Sequence, residues 1–307
     1  MLTLSGMRAF VAVVETGSFT AAADRQNATQ SGVSQQISRL EARLGIELLT
    51  RGPQGAVPTP AGKHLYQRAV QIMRDLAATE SGLTNFERGV AGSIRLGLMP
   101  ALTRSISGPV QRRFMAEHPN VRVVVTERVS SDLIEAVAAG RIDLGIVPAF
   151  DAPDTIRVTA VGSTSEVLVH RGRNHPNHMR ALHTFDMTPL RLILQSAGNI
   201  RREAVLSKLR AARVEIVDLL DLDSMFGTLE FVASGDYVTV LPAIMMAPEI
   251  DSRELCLRPI REPAMELEMV AIEPSSRGES LIAPLLIELF KAELDAFNRR
   301  LDARCWT

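Results

Sequence analysis

The sequence is poor in the features that secreted, membrane-spanning or catalytic chains carry. It has only two cysteines, Cys256 and Cys305, too few for a disulfide framework and in keeping with a reducing cytosol. No stretch approaches the roughly 18 uninterrupted apolar residues of a transmembrane helix. The N-terminal Met-Leu-Thr-Leu-Ser-Gly-Met-Arg has no cationic leader before an apolar run, so neither a signal peptide nor a membrane partner is expected, and a cytoplasmic location is. Charge of one sign is missing as well: 34 Lys and Arg stand against 35 Asp and Glu, a net charge of −1. No global basic field draws the chain to nucleic acid. Also absent are the Gly-x-Ser-x-Gly elbow, the Walker loop, His-Glu-x-x-His and the dinucleotide glycine fingerprint. No enzyme activity and no cofactor are expected.

His170, His175, His178 and His183 cluster in the sequence, and His175-Pro-Asn-His178 has the look of a metal pair. The stretch is rich in Pro and Asn and has no Cys or carboxylate beside it, so an exposed polar loop is expected and no metal site. Cys256 falls in a strand-like run and is expected to be a buried structural thiol.

What is present divides along the chain. The 307 residues, 46% hydrophobic and 22% charged, fit a soluble globular protein of two or three domains. Near the N-terminus, Leu4, Met7, Val11 and Val14, with Phe10 beside them, form one helical face that Gly17 ends. Ser18 can cap a short second helix, roughly 18–26, whose Ala22 and Ala23 admit a close neighbour. Asn27-Ala28 make a turn, and Thr29 or Ser31 caps a third helix. There Val33, Ile37, Leu40 and Leu44 face inward, while Gln30, Ser31, Ser34, Gln35, Ser38 and Arg39 lie on or near the opposite side. Gln suits adenine, Arg suits guanine, and hydroxyls suit either base edges or phosphates. A solvated helix face would also be polar, but this one has few Glu or Lys and follows a helix–turn pair in the helix-turn-helix manner. Through residue 59, five arginines against four acids leave an excess of one positive charge, so a single copy should hold DNA weakly.

Leu48–Arg51, Gly52-Pro53-Gln54-Gly55 and Ala56–Thr59 read as a small hairpin. It either sets Arg51 against the DNA backbone or minor groove, or only closes the small core. Pro60 then opens a long helix. Leu65, Ala69, Ile72, Leu76, Thr79, Leu83 and Phe86 alternate steps of four and three without a slip, the seam of a coiled coil. A helix lying on its own domain would also show an apolar face, though a wider one than two positions in seven; a paired seam makes a dimer and doubles the DNA-facing charge. Gly89 and Gly92 mark a hinge.

After Gly92 the period changes. Strands at Ser93–Leu98, Val121–Thr126 and Ile142–Val147 alternate with helices near 104–117 and 131–139. A second series follows: strands Glu166–Val169, Arg191–Leu194, Val214–Leu219 and Tyr237–Leu241, with helices about 199–212 and 224–234. Strand Glu266–Ile272 and a helix about 279–301 end the chain. Two α/β lobes joined by crossover strands make a cleft, and ligands bind beyond the strand C-termini. The corners Met99-Pro100-Ala101-Leu102-Thr103-Arg104, Val129-Ser130-Ser131, Pro148-Ala149 and Gln195-Ser196-Ala197-Gly198-Asn199-Ile200 offer hydroxyls, amides and helix-start N–H groups suited to an anion. Each corner alone would also serve as ordinary helix capping.

The chain resembles the LysR-type transcriptional regulators over essentially its whole length. The likeness rests on Ser18-Phe19-Thr20-x-Ala22-Ala23, Gln30-Ser31-x-Val33-Ser34-Gln35-Gln36-Ile37, Leu40-Glu41-x-x-Leu44-Gly45, Leu48–Arg51 and Thr59–Gly62. It continues at His118-Pro119, Gly140–Ile146 and His175-Pro176. Gln26, Ala28, Leu49, Pro58 and Gln195 depart from the family pattern. The resemblance implies an α/β chain in three parts: a winged helix-turn-helix at 1–59, a linker and dimerisation helix at 60–89, and a two-lobed effector domain at 92–307 resembling periplasmic binding proteins. Lobe I is expected at about 92–161 and 267–307, lobe II at about 162–266. The resemblance further implies that Thr29, Gln30, Ser31, Ser34, Gln35 and Arg39 read DNA, with Ser18, Arg51 and Thr59 completing the contact set. Met99, Pro100, Ala101, Leu102, Thr103, Ser130, Ser131, Pro148, Ser196 and Asn199 would bind an effector, a small anionic metabolite such as a carboxylate. Leu65, Ala69, Ile72, Leu76, Leu83 and Phe86 would pair two copies, and dimers would join as tetramers that bend promoter DNA and meet RNA polymerase. The alternative from another class is a solute-binding or transport module, which the two-lobed half alone would fit.

Overall fold

The computed structural model describes residues 2–52, 55–84, 90–172, 174–183, 187, 189–197, 199–252, 254–262, 264–276, 278 and 280–305, with the side chains of 74, 78–84, 200 and 262 outside that description. The chain forms two compact units, Met1–Arg88 and Gly89–Thr307. Among the described residues no helix is long and apolar enough to cross a membrane.

The N-terminal unit holds α1 (Leu4–Thr16), α2 (Phe19–Arg25), α3 (Gln30–Leu44), the hairpin β1 (Leu49–Gly52) and β2 (Gly55–Pro58), and α4 (Pro60–Thr84). Side-chain oxygens start the first three helices: Thr3 accepts from the Gly6 amide, Ser18 from Ala21 and Thr29 from Gly32. Gly17 and Gly45, at φ +67° and +68°, end α1 and α3 in the left-handed conformation that glycine adopts without strain. Phe10, Val13, Ala22, Ala23, Val33, Ile37, Leu40, Leu48, Leu49 and Ala56 make the core. The expected apolar faces are corrected at their ends. Leu4 and Leu44 are exposed, because each occupies a terminal turn beyond the three-helix core. In α1 the buried positions centre on Gly6, Phe10 and Val13 rather than on Val11 and Val14. The hairpin turn residues Pro53 and Gln54 lie outside the described residues.

In α4, Leu65 packs half-buried against this core, Ala69 is fully buried, and Ile72 is 41% exposed. Leu76 is half-buried. The expected seam therefore begins with residues occupied within the chain. The side chains of Thr79 and Leu83, and all of Phe86, lie outside the described residues.

The C-terminal unit contains β3 (Gly92–Leu98), α5 (Pro100–Arg104), α6 (Ser107–Glu117), β4 (Val121–Glu127), α7 (Ser130–Ala138), β5 (Leu144–Pro148) and β6 (Ile156–Arg171). There follow β7 (Leu182–His183), β8 (Leu190–Leu194), α8 (Ile200–Ala211), β9 (Ile216–Asp221), α9 (Met225–Ser234) and β10 (Val238–Pro242). A 3-10 turn (Ala243–Met246), α10 (Glu249–Ser252), β11 (Leu255–Glu262), β12 (Glu266–Pro274) and α11 (Ala283–Arg304) complete it.

The strands make two parallel cores joined by long antiparallel ones. In the first lobe β3 pairs in parallel with β4 and β5, and in the second β8 pairs in parallel with β9 and β10. Strand β6 runs through both: Ile156–Ser165 pairs with β12, and Glu166 onward pairs with β10 and β11. The partner change between Ser165 and Glu166 sits a few residues beyond the expected lobe boundary. One apolar cluster, which includes Leu96, Phe114, Ile146 and Phe290, runs from the first lobe into the second; another, including Leu192, Leu209 and Val240, lies in the second. The expected helix near 104–117 is α6, which starts three residues later at Ser107, and the short α5 ends before it at Arg104. Strands β7, β11 and the first half of β6 add to those that the sequence pattern predicts.

Candidate nucleic-acid interface and ligand cleft

The outer face of α3 is a surface of unspent hydrogen-bonding groups. Gln30, Ser31, Gln35, Ser38 and Arg39 are exposed and Ser34 is half-buried. Among the described residues, the side chains of Gln30, Ser34, Gln35 and Arg39 make no hydrogen bond within the chain, while Ser31 bonds Thr29 and Ser38 accepts from Arg51. Ser18, Thr29 and Thr59 sit at helix starts with their oxygens already accepting amide N–H groups, so their side chains set helix ends. Thr59 also donates to the Glu47 carbonyl at 2.9 Å.

Arg51 projects from β1 back onto the helices. Its guanidinium stacks over the Phe19 ring at 5.2 Å and reaches Ser38 Oγ at 3.3 Å and Glu41 Oε2 at 3.5 Å. Glu41 Oε1 meanwhile accepts from the Leu48 and Leu49 amides at 2.8 and 3.1 Å. One carboxylate thus ties the hairpin to α3 and places Arg51 beside the exposed face. Gln26 donates to the Arg8 carbonyl at 2.9 Å, a polar tie between α2 and α1.

The expected ligand corners all fall where parallel strands end. Met99 starts α5, Ser130 opens α7 and Pro148 closes β5. The Ser130 hydroxyl lies 3.4 Å from Met99 Sδ, which brings two corners together. Met99, Ala101, Leu102 and Pro148 are buried, Pro100 and Thr103 half-buried, and Ser131 exposed. The Thr103 hydroxyl donates to Glu127 and lies 3.1 Å from the Pro100 carbonyl. In the second lobe, Ser196 gives both its amide and its hydroxyl to Asp223, at 2.9 and 2.7 Å, which holds the Asp223 carboxyl below its usual range. Asn199 caps α8, accepting from the Arg201 and Arg202 amides.

A cavity of about 220 Å³ lies between the crossover strands and α8, lined by Pro148, Glu166, Arg201, Lys208, Glu266 and Glu268 among others. Of the expected ligand residues only Pro148 lines it. Arg201 is held by Glu166 through 2.9 and 2.7 Å bonds, and their side chains are 10% and 4% exposed. That buried pair is further tied in, since Arg201 also reaches Gln195 and the Val240 carbonyl. Lys208 has no ion-pair partner among the described residues. Glu166, Arg201 and Lys208 line the cavity without any motif that marks them in the sequence. The one available signal was a lone Glu entering the apolar run Val167–Val169.

The histidine stretch is also corrected. Strand pairing puts Cys256 opposite His170, so the loop does have a cysteine neighbour.

Comparison with known proteins agrees with this architecture. Residues 4–63 match the family described as bacterial regulatory helix-turn-helix protein, lysR family, and residues 87–295 match the LysR substrate binding domain. The chain is 28% identical over 259 residues to the regulator PgrR of Escherichia coli (strain K12), covering 82% of this chain and 85% of PgrR. It is 29% identical over 255 residues to the regulator BenM of Acinetobacter baylyi, covering 79% and 81%. The crystal structure of full-length BenM superposes with a TM-score of 0.58 at 25% identity, over 96% of this chain and 97% of that one. Full-length CbnR in complex with its target DNA shares the fold, with a TM-score of 0.64 at 19% identity over 98% and 100%. A helix-turn-helix match at residues 4–63, followed by a substrate-binding-domain match at 87–295, makes this chain a member of the LysR family of ligand-responsive transcriptional regulators.

Proposed function

We propose that the chain is a cytoplasmic, non-catalytic regulator that reads promoter DNA through α3 as a dimer, with dimers joined as a tetramer in reach of RNA polymerase. The observation that carries the reading is the α3 face, where Gln30, Ser34, Gln35 and Arg39 hold donors and acceptors unused among the described residues. The linker helix supports pairing, since Ile72 is left open. The small positive excess of the reader makes pairing necessary, because counterion release grows with each phosphate neutralised.

In the same proposal, a small carboxylate binds between the lobes, shifts their relative populations, and so alters the spacing of paired readers and the bend of the DNA. Ser130, Ser196 and the corner Met99–Thr103 lie at strand ends outside the cavity, and Lys208, with no ion-pair partner among the described residues, lines the cavity with Arg201.

A gel-shift series on the chain's own upstream region tests the DNA half. Gln30→Ala and Gln35→Ala should each weaken specific binding by about 1–3 kcal/mol, the worth of a bidentate base contact, with an unchanged circular dichroism spectrum. Equal affinity in both variants would remove α3 as the reader. Thermal-shift screening against carboxylates tests the ligand half, with Lys208→Ala expected to diminish the shift.

A further inference from the structure

We propose that His170, His175 and Cys256 form a binding site for a borderline-soft transition-metal ion, Zn(II) first among them. The site is assembled by the sheet and by one loop. His170 on β6 and Cys256 on β11 are direct partners across an antiparallel pair, so both side chains leave the same face of the sheet a few ångströms apart. The chain then turns back at Gly172, whose φ is +145°, and lays His175 over that face. A Cβ at position 172 would stand 3.1 Å from the His175 Cβ and 3.2 Å from its Cδ2, so glycine is what lets the ring sit there. One potential ligand atom from each of His170, His175 and Cys256 lies within 4.8 Å of the other two. In a tetrahedral zinc site with two imidazoles and a thiolate, the corresponding spacings are about 3.3–3.6 Å. Closing the difference takes roughly one ångström of movement.

The orientation of His170 matches that of a ligand. Its Nδ1 lies 2.7 Å from the Arg171 carbonyl, to which it donates, leaving the Nε2 lone pair unprotonated. A backbone carbonyl on the far ring nitrogen is the usual partner of a metal-bound histidine. His178 belongs to the scaffold: its ring bonds the Leu257 amide at 3.3 Å and the Ile250 carbonyl at 3.1 Å, fastening the loop to β11 beside Cys256. Burial pushes the Cys256 thiol up to about 11, so at neutral pH the sulfur is protonated. Metal binding forms the metal–sulfur bond and releases that proton to solvent, one per ion. His175 Nδ1 accepts from the Asn177 amide at 3.1 Å. Binding gives up that bond by either route: the ion takes the Nδ1 lone pair, or the ring moves its proton to Nδ1 and ligates through Nε2. Two nitrogens and one sulfur select Zn(II), Co(II) or Cu(I) over Mg(II) or Ca(II), and leave a fourth position for water or a small anion.

The test is a Co(II) titration of the full chain after chelator treatment, read by the thiolate-to-cobalt charge-transfer band and the visible bands of tetrahedral Co(II), with Zn(II) as competitor. One ion per chain is expected, with Zn(II) displacing Co(II). His175→Ala removes a direct ligand and should weaken binding more than the roughly 10–100-fold that loss of an outer partner costs. Cys256→Ser should abolish the thiolate band, and Cys305→Ser should leave it. Because Cys256 is a core residue, circular dichroism checks that variant, and if it does not fold His175→Ala and His170→Ala carry the test. No charge-transfer band in the parent chain, or equal binding in His175→Ala, overturns the proposal.

Discussion

Glu41 carries more than its place on a helix surface implies. Its side chain is 15% exposed, and its two oxygens accept from the Leu48 and Leu49 amides and from Arg51. Glu41→Ala leaves two amides without that acceptor and should cost about 2 kcal/mol, read as a lower denaturation midpoint for the N-terminal unit. Arg51 then loses its tether, so DNA affinity should fall in the same variant, whereas Glu41→Gln keeps an acceptor and should lie between. Nothing local announces this role: in Leu40-Glu41-x-x-Leu44-Gly45 the residue reads as helix solubiliser, and its partners come from chain that returns seven and eight residues later. Glu273, half-buried on β12, shows the opposite electrostatics. Burial raises its carboxyl, and Arg157 offsets this only in part. A raised acid pKa means that the folded chain binds the proton more tightly than the unfolded one, so stability drops as pH rises through the carboxylate range. Glu273→Gln should therefore raise Tm at pH 7 by roughly 1–3 °C, with the gain shrinking toward pH 4, and a pH-independent difference would contradict that cause.

Among the elements, α4 divides its apolar face between two tasks. Leu65 belongs to the N-terminal core and Ala69 is buried, while Ile72 is left open. Leu65→Ala should thus lower stability by about 1–2 kcal/mol, whereas Ile72→Glu should leave the melt unchanged and lower the mass seen by sedimentation. If Ile72→Glu stays fully associated at micromolar concentration, the open seam does not pair copies. The four-three spacing of the sequence showed a continuous stripe but not where it stops serving its own unit, because packing partners are a tertiary property. Strand β6 was legible only in its second half for a similar reason. Val167–Val169 is buried and apolar, but Arg157–Ser165 is rich in small polar residues and carries a bulge near Gly162, at φ +148°, where Leu294 approaches closely. A strand whose pairing comes from β12, more than a hundred residues away, shows little periodicity of its own.

At the scale of the whole chain, the alternation of strands and helices after Gly92 revealed the two-lobed half, but the chemistry between the lobes was hidden. Glu166 and Arg201 are 35 residues apart and meet only because β6 crosses beneath α8. The reader and the ligand half have separate apolar cores, one around Phe10 and Ile37 and others around Leu96 and Leu192. Calorimetry of the full chain should accordingly show two transitions. A carboxylate bound in the cleft stabilises only the state that binds it, by about 2.7 kcal/mol at a hundredfold excess over Kd. For a unit of this size that shifts Tm by roughly 5–10 °C. The shift should appear in the transition assigned to residues 89–307 and leave the other in place, with Glu41→Ala marking the N-terminal one by moving it alone. A ligand that moves both transitions equally would mean that the reader and the cleft unfold as one body, and the signal from cleft to DNA would then pass through shared stability rather than through a change in lobe geometry.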